Sequence, residues 1–174
     1  MSRAFVKEDG GGEDVVVTHR PPLPPGVPNL VTPTGLAALE RERDEKSAAL
    51  AGLRTAADDA EAQRRLAALE EELELLLERL ASAELVASPA DPREAGVGAT
   101  VDIRYLDGPQ AGRAARLVLV GVDEADPLEG KVAFTAPVAQ ALLGLRAGAT
   151  ATFLAGETPT EVRLERVDYG GAGA

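Results

Sequence analysis

The chain of 174 residues has no cysteine and no tryptophan, one histidine, and only 3% aromatic residues. Without cysteine there are no disulfides and no thiolate metal sites, which suits a cytoplasmic protein. With so few aromatics, cores must be built from Leu, Val and Ala, which suits helical seams and a small sheet better than a large aromatic-lined pocket. The one histidine, His19, lies in a Gly/Pro-rich stretch and reads as a solvated side chain rather than a ligand or base. No apolar run approaches the ~20 residues of a membrane-spanning helix, and Met1 to Lys7 lacks the apolar stretch of a secretion signal. A soluble, cytoplasmic chain is therefore expected. Positive charge is also short: 18 Lys and Arg stand against 29 Asp and Glu, for a net charge of −11. Such a chain does not wrap nucleic-acid phosphates unaided, because that binding needs clustered Lys and Arg to displace counterions. A basic protein partner, or a place beside nucleic acid that something else holds, fits better.

What is present divides into segments. Residues 1–33 carry Gly10-Gly11-Gly12, then Pro21, Pro22, Pro24, Pro25, Pro28 and Pro33. Proline removes backbone donors and glycine raises chain entropy, so the stretch reads as a flexible or polyproline-like arm. Residues 34–86 read as two helices folded back on each other. Leu66, Leu69, Leu73, Leu76 and Leu80 alternate steps of three and four, the spacing of a coiled-coil seam. Leu36, Leu39, Leu50 and Leu53 give the first helix a matching stripe, with Arg43 and Lys46 falling in its middle. Thr34, or Thr32 with Pro33 at the first helical position, starts that helix. Gly52 and the run Thr55 to Asp59 interrupt the pattern, placing the turn near 54–59. Asp58 or Asp59 can cap the second helix, with Glu61 in its first turn. Arms of twenty-odd residues project roughly 30–40 Å.

Residues 87–96, with Pro89, Pro92 and Gly96, read as a linker. From Gly98 the period falls to two: Val101, Ile103 and Tyr105 share a face against Asp102 and Arg104. Strands are expected around 101–105, 117–120, 131–134, 149–154 and 160–169, with a short helix at 138–143 opened by Pro137. A phase change between Leu164 and Val167 predicts a bulge or twist. The expected fold class is α+β: an antiparallel two-helix coiled-coil hairpin, then a small antiparallel or mixed sheet domain over 97–169. Residues 170–174 read as a loose tail.

The third segment resembles the C-terminal domain of GreA/GreB transcript cleavage factors. The resemblance is carried by Val120-Gly121-Val122-Asp123-Glu124-Ala125-Asp126-Pro127, then Gly130-Lys131-Val132, Ala136-Pro137-Val138-Ala139 and Ala141-Leu142-Leu143-Gly144. Val31-Thr32-Pro33-Thr34-Gly35 is similar to that family's hairpin start, and Leu80 to Val86 to its end, so about 31–169 is covered. The resemblance implies an FKBP-like sheet domain that docks at the rim of the secondary channel of bacterial RNA polymerase. It implies a hairpin whose acidic tip reaches the active centre and helps hold a Mg²⁺ shared with the polymerase, none being held by the factor alone. It also implies polymerase contacts near Asp123, Glu124, Asp126, Ala136 and Pro137. Two departures bear on this. Ala133 and Ala136 replace serines of the family pattern, and the arms are about one heptad, roughly 10 Å, short.

Asp58, Asp59 and Glu61 are the one candidate catalytic cluster. Two or three carboxylates cannot complete the six-oxygen shell Mg²⁺ prefers, but they can supplement a site whose other ligands come from a partner. Helix capping and solvation account for them equally well. Arg64 and Arg65, beside the tip, are candidate RNA-phosphate contacts. The expectation is a monomeric elongation factor acting on the transcription elongation complex, not an enzyme in its own right and not a membrane protein. It stimulates transcript cleavage, or is a Rnk-like or inhibitory polymerase binder that donates no ligand, or is a general protein-interaction module.

Overall fold

The computed structural model describes residue 20 and residues 22–56, 59–87 and 89–170. Elements run in the order β1 (Asn29–Val31), α1 (Pro33–Ala56), α2 (Ala60–Ala81), β2 (Ala83–Leu85), β3 (Thr100–Tyr105), β4 (Ala114–Val120), β5 (Lys131–Ala133), α3 (Pro137–Leu142), β6 (Thr150–Ala155) and β7 (Thr158–Asp168). Single 3₁₀ turns at 108–110, 122–124 and 127–129 complete the sheet domain. Among the described residues no helix is long and apolar enough to cross a membrane.

The hairpin begins where the sequence offers a cap. The Thr32 hydroxyl oxygen accepts from the Gly35 N–H at 3.1 Å, and Pro33 fills the first helical position. α2 begins on Asp59, whose side chain accepts from the Ala62 N–H at 2.8 Å. The seam is not uniform. Leu39, Leu50 and Leu76 are buried, and Val31 joins Leu39 and Leu76 in one small cluster at the hairpin base. Midway, Lys46 occupies a seam position and reaches across to Glu72 at 2.5 Å, while Arg54 pairs with Glu70 at 2.7 Å nearer the turn. Lys46 thus carries its stem along the seam and its charge to the partner helix.

The base differs from the expectation of a flexible arm over 1–33. Residues 29–31 are a strand, paired in parallel with β2 so that Asn29 faces Ala83 and Val31 faces Leu85. Val31 is buried, and the buried Asn29 amide donates to the Arg79 carbonyl at 2.8 Å and the Ser82 hydroxyl at 3.1 Å. Burial against the hairpin, which no local pattern signals, overrides the prolines around it. Residues 1–19 and 21 lie outside the described residues, as do 171–174 of the loose tail.

The second sheet has the order β5-β4-β3-β7-β6, antiparallel except for the parallel β4–β5 pair. Val101, Ile103, Leu119, Val162 and Leu164 point to one face and meet Ala139 and Leu142 of α3, forming the core. The expected bulge is present. Asp102 pairs with Arg166 and Ile103 with Leu164, so Glu165 is the extra residue in β7. The linker is shorter than the sequence suggested. Ala95 is buried, its N–H donates to the Leu145 carbonyl, and the Tyr169 hydroxyl donates to the Glu94 carbonyl, each under 3 Å. Asp91 accepts from Arg93 and Arg146, and the Arg93 hydrogen bonds hold its carboxyl down to about 2. Residues 91–96 therefore belong to the sheet domain.

Candidate functional site

The expected site residues fall at the hairpin tip, at the junction at its base, and on the sheet domain. At the tip, Asp59 and Glu61 are exposed. One oxygen of Asp59 is engaged as the helix cap. Glu61 lies 2.7 Å from Arg65, one helical turn on. Such an exposed pair contributes little and opens readily. Arg64 is exposed beside them. Asp58, the remaining member of the expected cluster, lies outside the described residues. The donors are hard carboxylate oxygens of the kind Mg²⁺ takes, but among the described residues no group of three or more His, Cys, Asp or Glu could hold a metal alone. Of the expected cluster, the described part of the tip thus offers two exposed carboxylates, Asp59 and Glu61.

At the junction the structure corrects the expectation for Asp123 and Glu124. Neither presents its carboxylate outward. The Asp123 side chain is 2% exposed; it accepts from Arg20 at 3.0 Å and lies 3.4 Å from Arg79 of α2. Arg20 also reaches Glu42 of α1 at 2.5 Å. Burial disfavours the Arg20 charge, but the hydrogen bonds to Glu42 and Asp123 outweigh it and raise its pKa above the ordinary value. Glu124 accepts from the N–H groups of Thr32 and Gly121 at 3.1 and 3.2 Å, and the Thr32 hydroxyl donates to its other oxygen. A buried carboxylate is tolerated when paired and hydrogen-bonded, so these two residues fasten sheet domain to hairpin.

The backbones must approach closely for this. A Cβ on Gly35 would sit 2.1 Å from the Glu124 carboxyl carbon, and one on Gly121 would sit 2.4 Å from the Leu30 carbonyl oxygen. Beside the fastening is a cleft of about 590 Å³, bounded by Leu39, Val86, Val118 and Tyr169.

Of the other expected contacts, Asp126 and Ala136 are half-buried and Pro137 is exposed. Asp126 caps its turn by accepting from the Leu128 N–H at 2.9 Å, leaving Leu128 98% exposed. Ala136 immediately precedes α3 and Pro137 is its exposed first residue. The Gln140 amide donates to the Phe134 carbonyl at 2.6 Å, which holds this loop without the serines of the family pattern. Sequence reasoning missed Arg20, Glu42 and the Thr32–Glu124 contact. For Gly35 and Gly121 the signal was there, since both stand within the quoted motifs.

Comparison with known proteins bears on this arrangement. Residues 90–169 match the family described as "Transcription elongation factor, GreA/GreB, C-term". Transcription elongation factor GreB of Pseudomonas aeruginosa is 31% identical over 141 residues, which cover 72% of this chain and 81% of that protein. Transcription elongation factor GreA of Desulfovibrio desulfuricans is 40% identical over 72 residues, covering 41% of this chain and 38% of that protein. Among solved structures, the GreA factor homolog Gfh1 of Thermus thermophilus matches 81% of this chain and 99% of its own at 20% identity, with a TM-score of 0.38. The long match to GreB shows that this chain belongs to the GreA/GreB family of transcription elongation factors.

Proposed function

We propose that the protein binds bacterial RNA polymerase at the secondary channel, with the sheet domain on the rim and the hairpin inside, and stimulates cleavage of backtracked transcripts. The observation that carries this reading is a projecting hairpin, acidic at its free end, whose base is fastened to the sheet domain by buried charges. From Gly35, at the fastening, to Thr55, at the turn, the first arm rises roughly 30 Å. A hairpin that projects so far buries little of its own surface, so its use lies in what the end touches. The net charge of −11 suits a basic protein wall and disfavours direct docking on nucleic acid.

In this reading Asp58 and Glu61 offer oxygens to the Mg²⁺ shared with the polymerase, which would supply the charge that activates water and steadies the cleaved phosphodiester. Glu61 leaves Arg65 to do so, and that arginine, with Arg64, is then free to face RNA phosphate. Asp59 stays on the helix N-terminus and keeps the tip in shape. Sheet-domain contact falls on Asp126, Pro137 and the surface around Ala136. A second reading, a channel-occupying regulator that donates no ligand, is favoured by the engagement of both described tip carboxylates.

The test is to backtrack a stalled polymerase, add the protein, and follow transcript length. Shortening that is lost in Asp58→Ala and Glu61→Ala, with polymerase still bound, supports the first reading. Binding without shortening by the unmutated protein selects the second. Failure to co-purify with polymerase removes both.

A further inference from the structure

We infer that Arg20, supplied by the segment preceding β1, is a positioning residue that fixes the angle of the hairpin to the sheet domain. It is placed to do this because its two guanidinium nitrogens go to different bodies. Nη1 meets Asp123 of the sheet domain at 3.0 Å, and Nη2 meets Glu42 of α1 at 2.5 Å. Glu42 stands two turns beyond the helix start, past Gly35 and Leu39. The Glu124–Thr32 fastening acts at the first residue of the hairpin and so behaves as a pivot. Arg20 acts further along the arm and works as a brace against that pivot. Arg79 adds a contact from the other helix, 3.4 Å from the second Asp123 oxygen.

The local charge explains why a cation belongs there. Glu42, Asp123 and Glu124 all line the cleft between the two bodies, and Arg20 lies among them. With Arg20 removed, Asp123 keeps one basic neighbour in a site its side chain shares with almost no water, and Glu42 keeps Lys46 at 3.8 Å. An unbalanced carboxylate is relieved by opening the cleft to solvent, which swings the hairpin. The guanidinium fork matters as well as the charge, because a lysine ammonium cannot span two carboxylates in the same planar geometry. Any consequence for transcript cleavage rests on the reading above; the angle itself does not.

The chain has no cysteine, so two can be introduced and spin-labelled without background. Ala60→Cys near the tip and Glu157→Cys in the β6–β7 turn are both exposed sites on opposite bodies. Double electron–electron resonance on the full chain should give one narrow distance. In Arg20→Ala the distribution should broaden or gain a second distance, with Arg20→Lys intermediate. Glu42→Gln, which leaves Asp123 paired, should broaden it too, and so covers the case in which Arg20→Ala does not fold. Circular dichroism reports whether each variant keeps its helices. If either folded variant, Arg20→Ala or Glu42→Gln, keeps the narrow, unchanged distance, the inference is wrong, even where Arg20→Ala melts at a lower temperature.

Discussion

Asp59 shows how one carboxylate supports two accounts. It caps α2 through the Ala62 N–H, and it stands where a metal ligand is wanted. The two roles separate by substitution. Asn caps a helix about as well as Asp, whereas Ala loses the cap at a cost of about 1 kcal/mol. Asp59→Asn should therefore leave the melting temperature close to that of the parent, and Asp59→Ala should lower it. If Asp59 serves only as the cap, Asp59→Asn also keeps full transcript shortening, while Glu61→Gln does not. Loss of shortening in Asp59→Asn at unchanged stability would move Asp59 into the metal-binding set. Arg20 belongs to the same scale and makes the opposite point. Its partner Asp123 is 103 residues away, so a lone arginine in a Pro-rich stretch carried no sign of its use.

Among the elements, the hairpin's strength is concentrated at its base. Leu76 is completely buried against Val31 and Leu39, while the seam above combines the buried Leu50 with the Lys46–Glu72 and Arg54–Glu70 pairs. Leu76→Ala should cost about 2–5 kcal/mol, since the side chain is lost from a small cluster with little to collapse around it. The loss should appear in the helical signal at 222 nm on thermal or urea unfolding. Leu77→Ala, next along the helix and half exposed, should be near neutral; equal costs would mean the seam is not where the structure puts it. The regular elements were legible in advance. The α2 heptad, the period-two strand at 101–105 and the bulge near Glu165 each follow from a local pattern of side chains. β1 and β2 were not, because a parallel pair of three-residue strands more than fifty residues apart leaves no periodicity. The same holds for the linker, whose Pro and Gly residues disguised backbone hydrogen bonds to the loop after α3.

For the whole molecule, the question is which part recognises the partner. The sheet domain has its own core of Val101, Ile103, Leu119, Leu142, Val162 and Leu164, and its residues 91–96 are tied into it rather than into the hairpin. What it takes from the hairpin is mainly the pairing of Asp123 and Glu124, which a detached domain can hydrate. Residues 90–170 alone should therefore fold, with strand-type circular dichroism and a cooperative melt. The surface proposed for polymerase, around Asp126 with the exposed Leu128 beside it and Pro137, includes neither Asp123 nor Glu124 and should survive the cut intact. The fragment should then compete with the full chain for polymerase, more weakly because the hairpin's contacts are gone, and should support no shortening of a backtracked transcript. Pro137→Ala combined with Leu128→Ser in the fragment should reduce that competition further. A well-folded fragment that does not compete would shift recognition to the hairpin, and the sheet domain would then act as the base against which the arm is braced rather than as the part that docks.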